Sequence, residues 1–221
     1  MKKIITLLLV ILIFSACKIA VSNDENDPSK KIASIKTEIY TIVNEEINQP
    51  KLVGYNVLTF NEKGLEETKM NYAKDSSLIL KDVYTYFKEK NLVKIETSTE
   101  DHQIVSTEVD YYVKDFKYIK ERIRYNQFNE LMLKDDFIWE NDHQKVAQTR
   151  TINEELFFNS VSTFNELNNL VFQKVENKKD NYVSTYEYKY VKFDDQQKWL
   201  ERQEFLDSKL VKIEKREILY Q

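Results

Sequence analysis

Short segments in which apolar and polar residues alternate, separated by polar stretches, recur along most of the chain. The residues that close these segments lie 27, 26, 26, 25 and 29 positions apart, and they are Phe60, Phe87, Val113, Trp139, Phe164 and Phe193. The polar stretches after them read NEKG, KEKN, KDFK, ENDHQK, NELNN and DDQQK. Polar turns between alternating segments are typical of β-hairpins, so this repeat of about 26 residues predicts a meander of hairpins.

The C-terminal part of the chain has the clearest alternation. Tyr186, Tyr188 and Tyr190 share one face of a predicted strand, and Val211, Ile213 and Leu219 share one face of the last strand. Aromatic and β-branched residues at period two favour pleated structure. The sequence therefore predicts a mainly β fold, an antiparallel meander that forms an extended curved sheet or an open barrel.

The residue patterns of two segments are compatible with either a helix or a strand. Residues 32–49 place apolar residues at helical spacing, but they also place five residues on one face of a strand: Ile35, Thr37, Ile39, Thr41 and Val43. The β-branched content of this segment favours the strand slightly. Residues 153–171 have the same ambiguity, because Phe157, Val161, Phe164 and Val171 follow helical spacing.

The N-terminus has the pattern of an export signal. Two lysines precede the apolar run of residues 4–14, which is too short to cross a bilayer comfortably. The next residues, Phe14-Ser15-Ala16-Cys17, resemble a bacterial lipobox. This resemblance implies cleavage before Cys17, a diacylglycerol on its sulfur and usually an acyl chain on the new amine. The alternative is an ordinary signal peptide with an incidental cysteine.

The chain is thus expected to divide into three parts: a signal peptide (1–16), the lipidated Cys17 with a flexible tether (17–31) and a single β-rich domain (32–221). The tether contains SNDENDPSKK, a polar stretch without aromatic residues. Its acidic residues Asp24, Glu25 and Asp27 lack the glycine and the distal glutamate of a calcium loop, so a solvated linker is the preferred interpretation.

The last repeat unit, YEYKYVKFDDQQKWLERQEF, resembles the tyrosine-rich hairpin repeats of YD-type and related bacterial envelope lipoproteins. Those repeats carry glycine in the turn. Here Gly64 is the one glycine at such a place, and the equivalent positions of the other turns carry Asn91, Lys117, His143, Asn168 and Gln197. Asparagine tolerates the left-handed backbone that such turns require.

Composition argues against several function classes. Lys and Arg number 33 against 37 Asp and Glu, and removal of Lys2 and Lys3 with the signal peptide leaves 31 − 37 = −6, so the sequence predicts no nucleic-acid partner. Two glycines in 221 residues make phosphate-binding loops improbable. His102 and His143 are the only histidines. We predict no metal site, no cofactor and no catalytic residues, and we expect Asp135-Asp136 and Asp194-Asp195 to lie in turns.

These patterns favour a non-enzymatic bacterial envelope lipoprotein, held at a membrane through Cys17 on the periplasmic or cell-surface side. The domain would be a structural or interaction module, with Tyr186, Tyr188 and Tyr190 as a possible contact surface for an unknown protein, glycan or lipid partner. The alternative is a carrier that holds a lipid or another apolar ligand inside an open barrel.

Overall fold

A computed structural model describes residues 31–44, 49–113, 116–140 and 144–221. Within these ranges the chain forms fourteen β-strands and one short 3-10 helix at Lys88–Lys90. The strands are β1 Ile32–Asn44, β2 Gln49–Phe60, β3 Glu66–Ala73, β4 Leu78–Phe87, β5 Leu92–Ser98, β6 Ile104–Tyr112, β7 Ile119–Asn126, β8 Leu131–Glu140, β9 Lys145–Ile152, β10 Glu155–Phe164, β11 Leu170–Asn177, β12 Tyr182–Phe193, β13 Trp199–Leu206 and β14 Lys209–Tyr220.

Every strand pairs antiparallel with its neighbours in sequence, and β14 also pairs with β1. In this last pairing Ile35 lies opposite Ile218, and Thr37 lies opposite Arg216. The sheet is therefore a closed barrel, which removes the unpaired edges that an open sheet would expose. The predicted antiparallel meander is confirmed.

Within the described residues, both segments that left a helix open form strands and turns. Residues 32–44 form β1, with Ile35 and Thr37 buried on its inward face. Residues 153–171 contain a turn, all of β10, a second turn and the start of β11. Period-two alternation of β-branched residues was the correct signal, and the helical spacing was coincidental.

The predicted spacing of about 26 residues corresponds to two strands and their connections. Phe60, Phe87, Phe164 and Phe193 are the last residues of β2, β4, β10 and β12. All of these strands end at the same end of the barrel, where β1 begins and β14 finishes. We call this the N-terminal end, and we call the other, where β1 finishes and β14 begins, the opposite end.

One turn geometry recurs at both ends. In each of these five-residue turns, the N–H of the first residue donates to the carbonyl oxygen of the fifth, and the fourth residue has a left-handed backbone conformation. The turns span 61–65, 73–77, 99–103, 126–130, 165–169 and 194–198. Asn61, Asn126, Asn165 and Asp194 also accept hydrogen bonds from backbone N–H groups two and four residues later. The expected left-handed residues Gly64, Asn91, Asn168 and Gln197 are confirmed, whereas the loop between β6 and β7 uses Phe116.

The second glycine is required by a close approach of strands. Gly54 on β2 lies opposite Ala73 on β3, and a Cβ atom on it would lie 2.4 Å from the carbonyl oxygen of Tyr72. A larger residue there would force β2 and β3 apart.

Candidate functional site

The inward faces of β6 and β7 carry a buried network of ion pairs. The strand register places Glu108 opposite Arg124 and Asp110 opposite Arg122. The Nε and Nη2 atoms of Arg122 donate to the two carboxylate oxygens of Asp110 over 2.8 and 2.7 Å, and its Nε also lies 2.9 Å from Oε1 of Glu108. Arg124 donates from Nε to Oε2 of Glu108 over 2.9 Å. All of these contacts are charge-assisted, and the one between Arg122 and Asp110 is bidentate, the strongest class of polar interaction between side chains.

A related pair lies on β8 and β9. Asp135, which is completely buried, accepts hydrogen bonds of 2.7 Å from both Nε and Nη2 of Arg150. The guanidinium of Arg150 also lies over the ring of Phe158, 4.9 Å from its centroid. The prediction of a turn at Asp135-Asp136 is wrong, because both residues lie inside β8. Asp194-Asp195, by contrast, does lie in a turn.

A second charged cluster occupies the inward faces of β13 and β14. Arg202 donates to Glu214 from Nε over 2.8 Å, and Lys212 binds Glu204 and also lies 3.3 Å from Glu214. Burial by itself would raise the pKa of Glu214, but the charges of Arg202 and Lys212 outweigh burial and hold this pKa at about 2. Burial lowers the pKa of Lys212, but the charges of Glu214 and Glu204 outweigh it and leave a net rise. Arg202, Lys212 and Glu214 therefore remain ionised at neutral pH.

Aromatic rings fill the inside of the barrel near its N-terminal end. Phe116 contacts Tyr86 and Tyr112 edge to face, with centroid distances of 5.2 and 6.0 Å. Trp139 lies between Tyr118 and Phe164, with centroids 5.3 and 5.8 Å away. Trp139 also donates from Nε1 to the carbonyl oxygen of Ile119 over 2.7 Å. This aromatic layer lies beside the ion pairs, since Tyr112 donates its hydroxyl to Asp110 over 3.2 Å.

The three tyrosines of β12 lie on its inward face. Tyr186 and Tyr188 are buried at 6% and 4% exposure, and Tyr190 is half-buried and donates its hydroxyl to the carbonyl oxygen of Leu170 over 2.8 Å. Burial raises the pKa of Tyr186 well above its usual range. The prediction that these rings form an exposed contact surface is therefore wrong, because they pack inside the barrel. Lys189, which lies between Tyr188 and Tyr190 on the strand, faces out.

The outer face also carries charged pairs in the middle of strands. Lys36 lies 3.1 Å from Glu38 on β1, Lys94 lies 2.8 Å from Glu96 on β5, and Lys134 lies 3.1 Å from Asp136 on β8. Strands that face lipid instead present an apolar band about 25 Å tall. Among the residues that the structure describes, no helix is long and apolar enough to span a membrane.

The other residues considered in the sequence analysis lie either in a turn or outside the described part of the chain. His102 is the left-handed residue of the turn 99–103. Within the described ranges, no group of three histidine, cysteine or acidic residues is placed to hold a metal ion. Cys17, the acidic residues at 24–27 and His143 lie outside the described residues.

The buried ion pairs were missed because alternation does not say which face of a strand points inward. On β6 and β7, Glu108, Asp110, Arg122 and Arg124 alternate with apolar residues. The sequence left open which face of each strand is exposed to solvent, and on these two strands the charged faces point inward. The usable signal was that acids at alternate positions of one strand are followed by arginines at alternate positions of the next.

No family model and no curated protein matches this chain significantly. Fourteen chains of known structure do match, among them a porin-like protein from Bacteroides uniformis. The alignment covers 87% of this chain and 98% of that one, at 9% sequence identity and a TM-score of 0.53. At this identity the similarity shows the fold alone, a β-barrel.

Proposed function

We propose that this chain is a bacterial envelope lipoprotein, anchored through lipid on Cys17, whose barrel works outside the bilayer as a non-enzymatic structural or interaction module. The observation that carries the proposal is the distribution of charge. Ionised pairs occupy the outer face at mid-strand, as in Lys36–Glu38 and Lys94–Glu96. An Arg or Lys facing lipid at the bilayer midplane costs about 2–4 kcal/mol, so an aqueous surrounding suits this outer face better.

The inside of the barrel supports a structural role over a transport role. Asp110 and Asp135 are at most 1% exposed, and each is bound by an arginine at two points. In a porin, the inward polar residues face a water-filled channel. Here the inward charges bind one another instead, which disfavours an open pore. The fold similarity to a porin-like protein supports an envelope location.

The same contacts disfavour the carrier of an apolar ligand. Such a ligand would lie against paired carboxylates and guanidinium groups, among them Glu108, Arg122 and Glu214. Charged and polar groups lose hydration without gaining hydrogen bonds when they face a hydrocarbon. The barrel is therefore proposed to act through its outer surface, and its inside maintains its shape.

The anchor is tested by replacing Cys17 with serine. We expect the native chain to partition with membranes and its mature form to weigh more than the polypeptide from Cys17 to Gln221 by the mass of the attached lipid. Cys17→Ser should appear in the aqueous fraction. A serine variant that is still cleaved after Ala16 and still partitions with membranes would contradict the anchor. Mass spectrometry of protein purified without detergent should detect no bound lipid beyond the anchor, and a stoichiometric lipid would instead support the carrier.

A further inference from the structure

The outer face of β2, β3 and β4 carries a broad apolar surface. The strand register places Tyr55 opposite Tyr72 and Val57 opposite Met70, and the two tyrosine rings stack with their centroids 4.7 Å apart. Lys81 on β4 is the charged residue that lies beside Met70. The large apolar side chains of these strands that are exposed, at 37–52%, are Val53, Ile79, Val83 and Phe87. We call these apolar residues of the three strands the β2–β4 patch.

Exposed apolar residues on other strands are separated by charges or stand alone. On β8, Lys134 and Asp136 lie between Met132 and Ile138. On β12, the outward residues between the two exposed valines include a glutamate and a lysine. The outward residues of β6 are uncharged, but between residues 105 and 112 none is exposed. The β2–β4 patch therefore combines the width of three strands with exposed apolar side chains.

The size of the patch limits what it can bind. Three strands about 4.8 Å apart, each followed over about eight residues, cover about 14 by 26 Å, or about 370 Å². A specific protein interface needs about 500 Å² on each side, with an apolar core and a polar rim. The patch has the size of such a core, and the rim would come from the adjacent strands β1 and β5.

Both adjacent strands carry an ion pair beside the patch. On β1, Lys36 and Glu38 lie 3.1 Å apart, and on β5, Lys94 and Glu96 lie 2.8 Å apart. The register places Lys36 next to β2 and Glu96 next to Val83 of β4. Each flank therefore carries both signs of charge and no net charge. A second copy of the same surface brings no like-charge repulsion, whereas a strongly charged partner gains little here.

The patch also lies where two anchored copies can meet. It runs along the wall of the barrel from Val53 to Phe87 at the N-terminal end, so it does not belong to one mouth alone. Two barrels that pack through their walls can have both tethers on one membrane surface, whichever end is nearer to the bilayer. The two-fold axis of this pair runs parallel to the barrel axis, and the β1 flank of one copy then faces the β5 flank of the other.

We propose that the β2–β4 patch is the interface between two copies of this chain anchored in the same membrane. The inference rests on the proposed function, because lipid on Cys17 confines the copies to one surface. This confinement raises their effective concentration, so an interface of modest size is populated. Met70 lies on the middle strand of the patch, near the two-fold axis, and should therefore be close to Met70 of the second copy.

Cross-linking of the full lipidated chain in isolated membranes tests this interface. Cys17 is the only cysteine, so lipid on its sulfur leaves an introduced cysteine as the single reactive thiol. Met70→Cys places this thiol near the two-fold axis, and Val57→Cys, opposite it in the register, is a second reporter should Met70→Cys fold poorly. Ile138→Cys on β8, at a position 66% exposed, is the matched control. A short bifunctional thiol reagent joins cysteines that lie close together.

We expect Met70→Cys to yield a covalent dimer and Ile138→Cys to remain monomeric, although position 138 is more accessible. Val83→Asp should lower the yield at position 70 at least about tenfold, because it places a charge in the apolar core, whereas Ile138→Asp should leave the yield unchanged. Equal yields at positions 70 and 138 would overturn the proposal. So would no dimer at positions 70 and 57, which would mean that the patch is covered by a different partner or by none.

Failure of the anchor gives a different result. Cross-linking of the native chain, which has no introduced cysteine, would show an unmodified Cys17 and would contradict the anchor rather than the interface. In that case Met70→Cys and Ile138→Cys in a chain carrying Cys17→Ser, compared at high protein concentration, test the interface alone. A dimer at position 70 but not at position 138 would still support it, and no difference would overturn it.

Discussion

The inner and outer faces of the barrel use the same charged side chains in different surroundings. On the inside, Asp135 is 0% exposed and its partner Arg150 only 11%, and two hydrogen bonds join them. On the outside, Lys94 and Glu96 are 37% and 36% exposed and share one contact. An ion pair in water contributes about 0–1 kcal/mol, whereas a buried charge that loses its partner costs several. Loss of one partner should therefore destabilise the barrel far more at an inner pair than at an outer pair.

Removing one inner carboxylate should have the largest effect. Asp135→Asn keeps the size of the side chain but leaves the charge of Arg150 buried without a counter-charge. We expect a loss of about 3–5 kcal/mol in the free energy of unfolding. Urea unfolding of the mature chain carrying Cys17→Ser, which avoids detergent, measures this loss. The double variant Asp135→Leu with Arg150→Met should recover most of the lost free energy of unfolding. If Asp135→Asn alone were as stable as the native chain, the pair would have to be hydrated.

The tyrosines of β12 provide an inside-outside test within one strand. Tyr188→Ala removes a buried ring that packs under the guanidinium of Arg202, 5.1 Å from its centroid. We expect a loss of about 3 kcal/mol. The neighbouring outward variant Lys189→Ala should change the free energy of unfolding by less than about 0.5 kcal/mol. Equal losses in thermal or urea unfolding would contradict the assigned faces.

Acid should weaken the β13–β14 cluster through Glu214. Its pKa is about 2 in the folded chain, below the ordinary value of 4.5. Its stabilisation is therefore fully present above about pH 4.5 and is lost as the pH falls towards 2, with a total of about 3 kcal/mol. Glu214→Gln should remove this part of the pH dependence, whereas the outward variant Glu217→Gln should retain it. An unchanged slope in Glu214→Gln would contradict the ionised cluster.

The outer pairs should give the smallest effect. Glu96→Gln breaks the contact with Lys94 in a setting where water replaces the lost partner. We expect a change below about 1 kcal/mol, which falls further in high salt. A loss comparable to that of Asp135→Asn would mean that this part of the outer face is covered by another body.

Much of the fold was readable from the sequence because turn chemistry is local. Asn61, Asn165 and Asp194 open turns whose side chains bind their own backbone, and the spacing between such turns fixed the strand lengths. Closure was not readable, because the pairing of β1 with β14 joins residues about 180 positions apart through ordinary alternating sequence.

The face assignments depended on long-range structure as well. On β14 the sequence places Val211, Ile213 and Leu219 on one face without indicating which face is internal, and in the structure Lys212, Glu214 and Arg216 point inward. Strand β13 places Arg202 opposite Glu214 and Glu204 opposite Lys212, so these buried charges are paired, and the guanidinium of Arg216 lies over the ring of Trp199. The partner strand, rather than the hydropathy of β14 itself, decides which face is inside.

The central claim, a barrel held outside the bilayer by a lipid on Cys17, is tested most directly by cutting the tether. A protease site replacing residues 22–28 would be cleaved in isolated membranes, and the released fragment would be sought without detergent. We predict that a folded barrel, with the far-UV circular dichroism of β structure, leaves the membrane after cleavage and stays bound in the uncleaved control. A barrel that stays in the membrane after complete cleavage would contradict the claim.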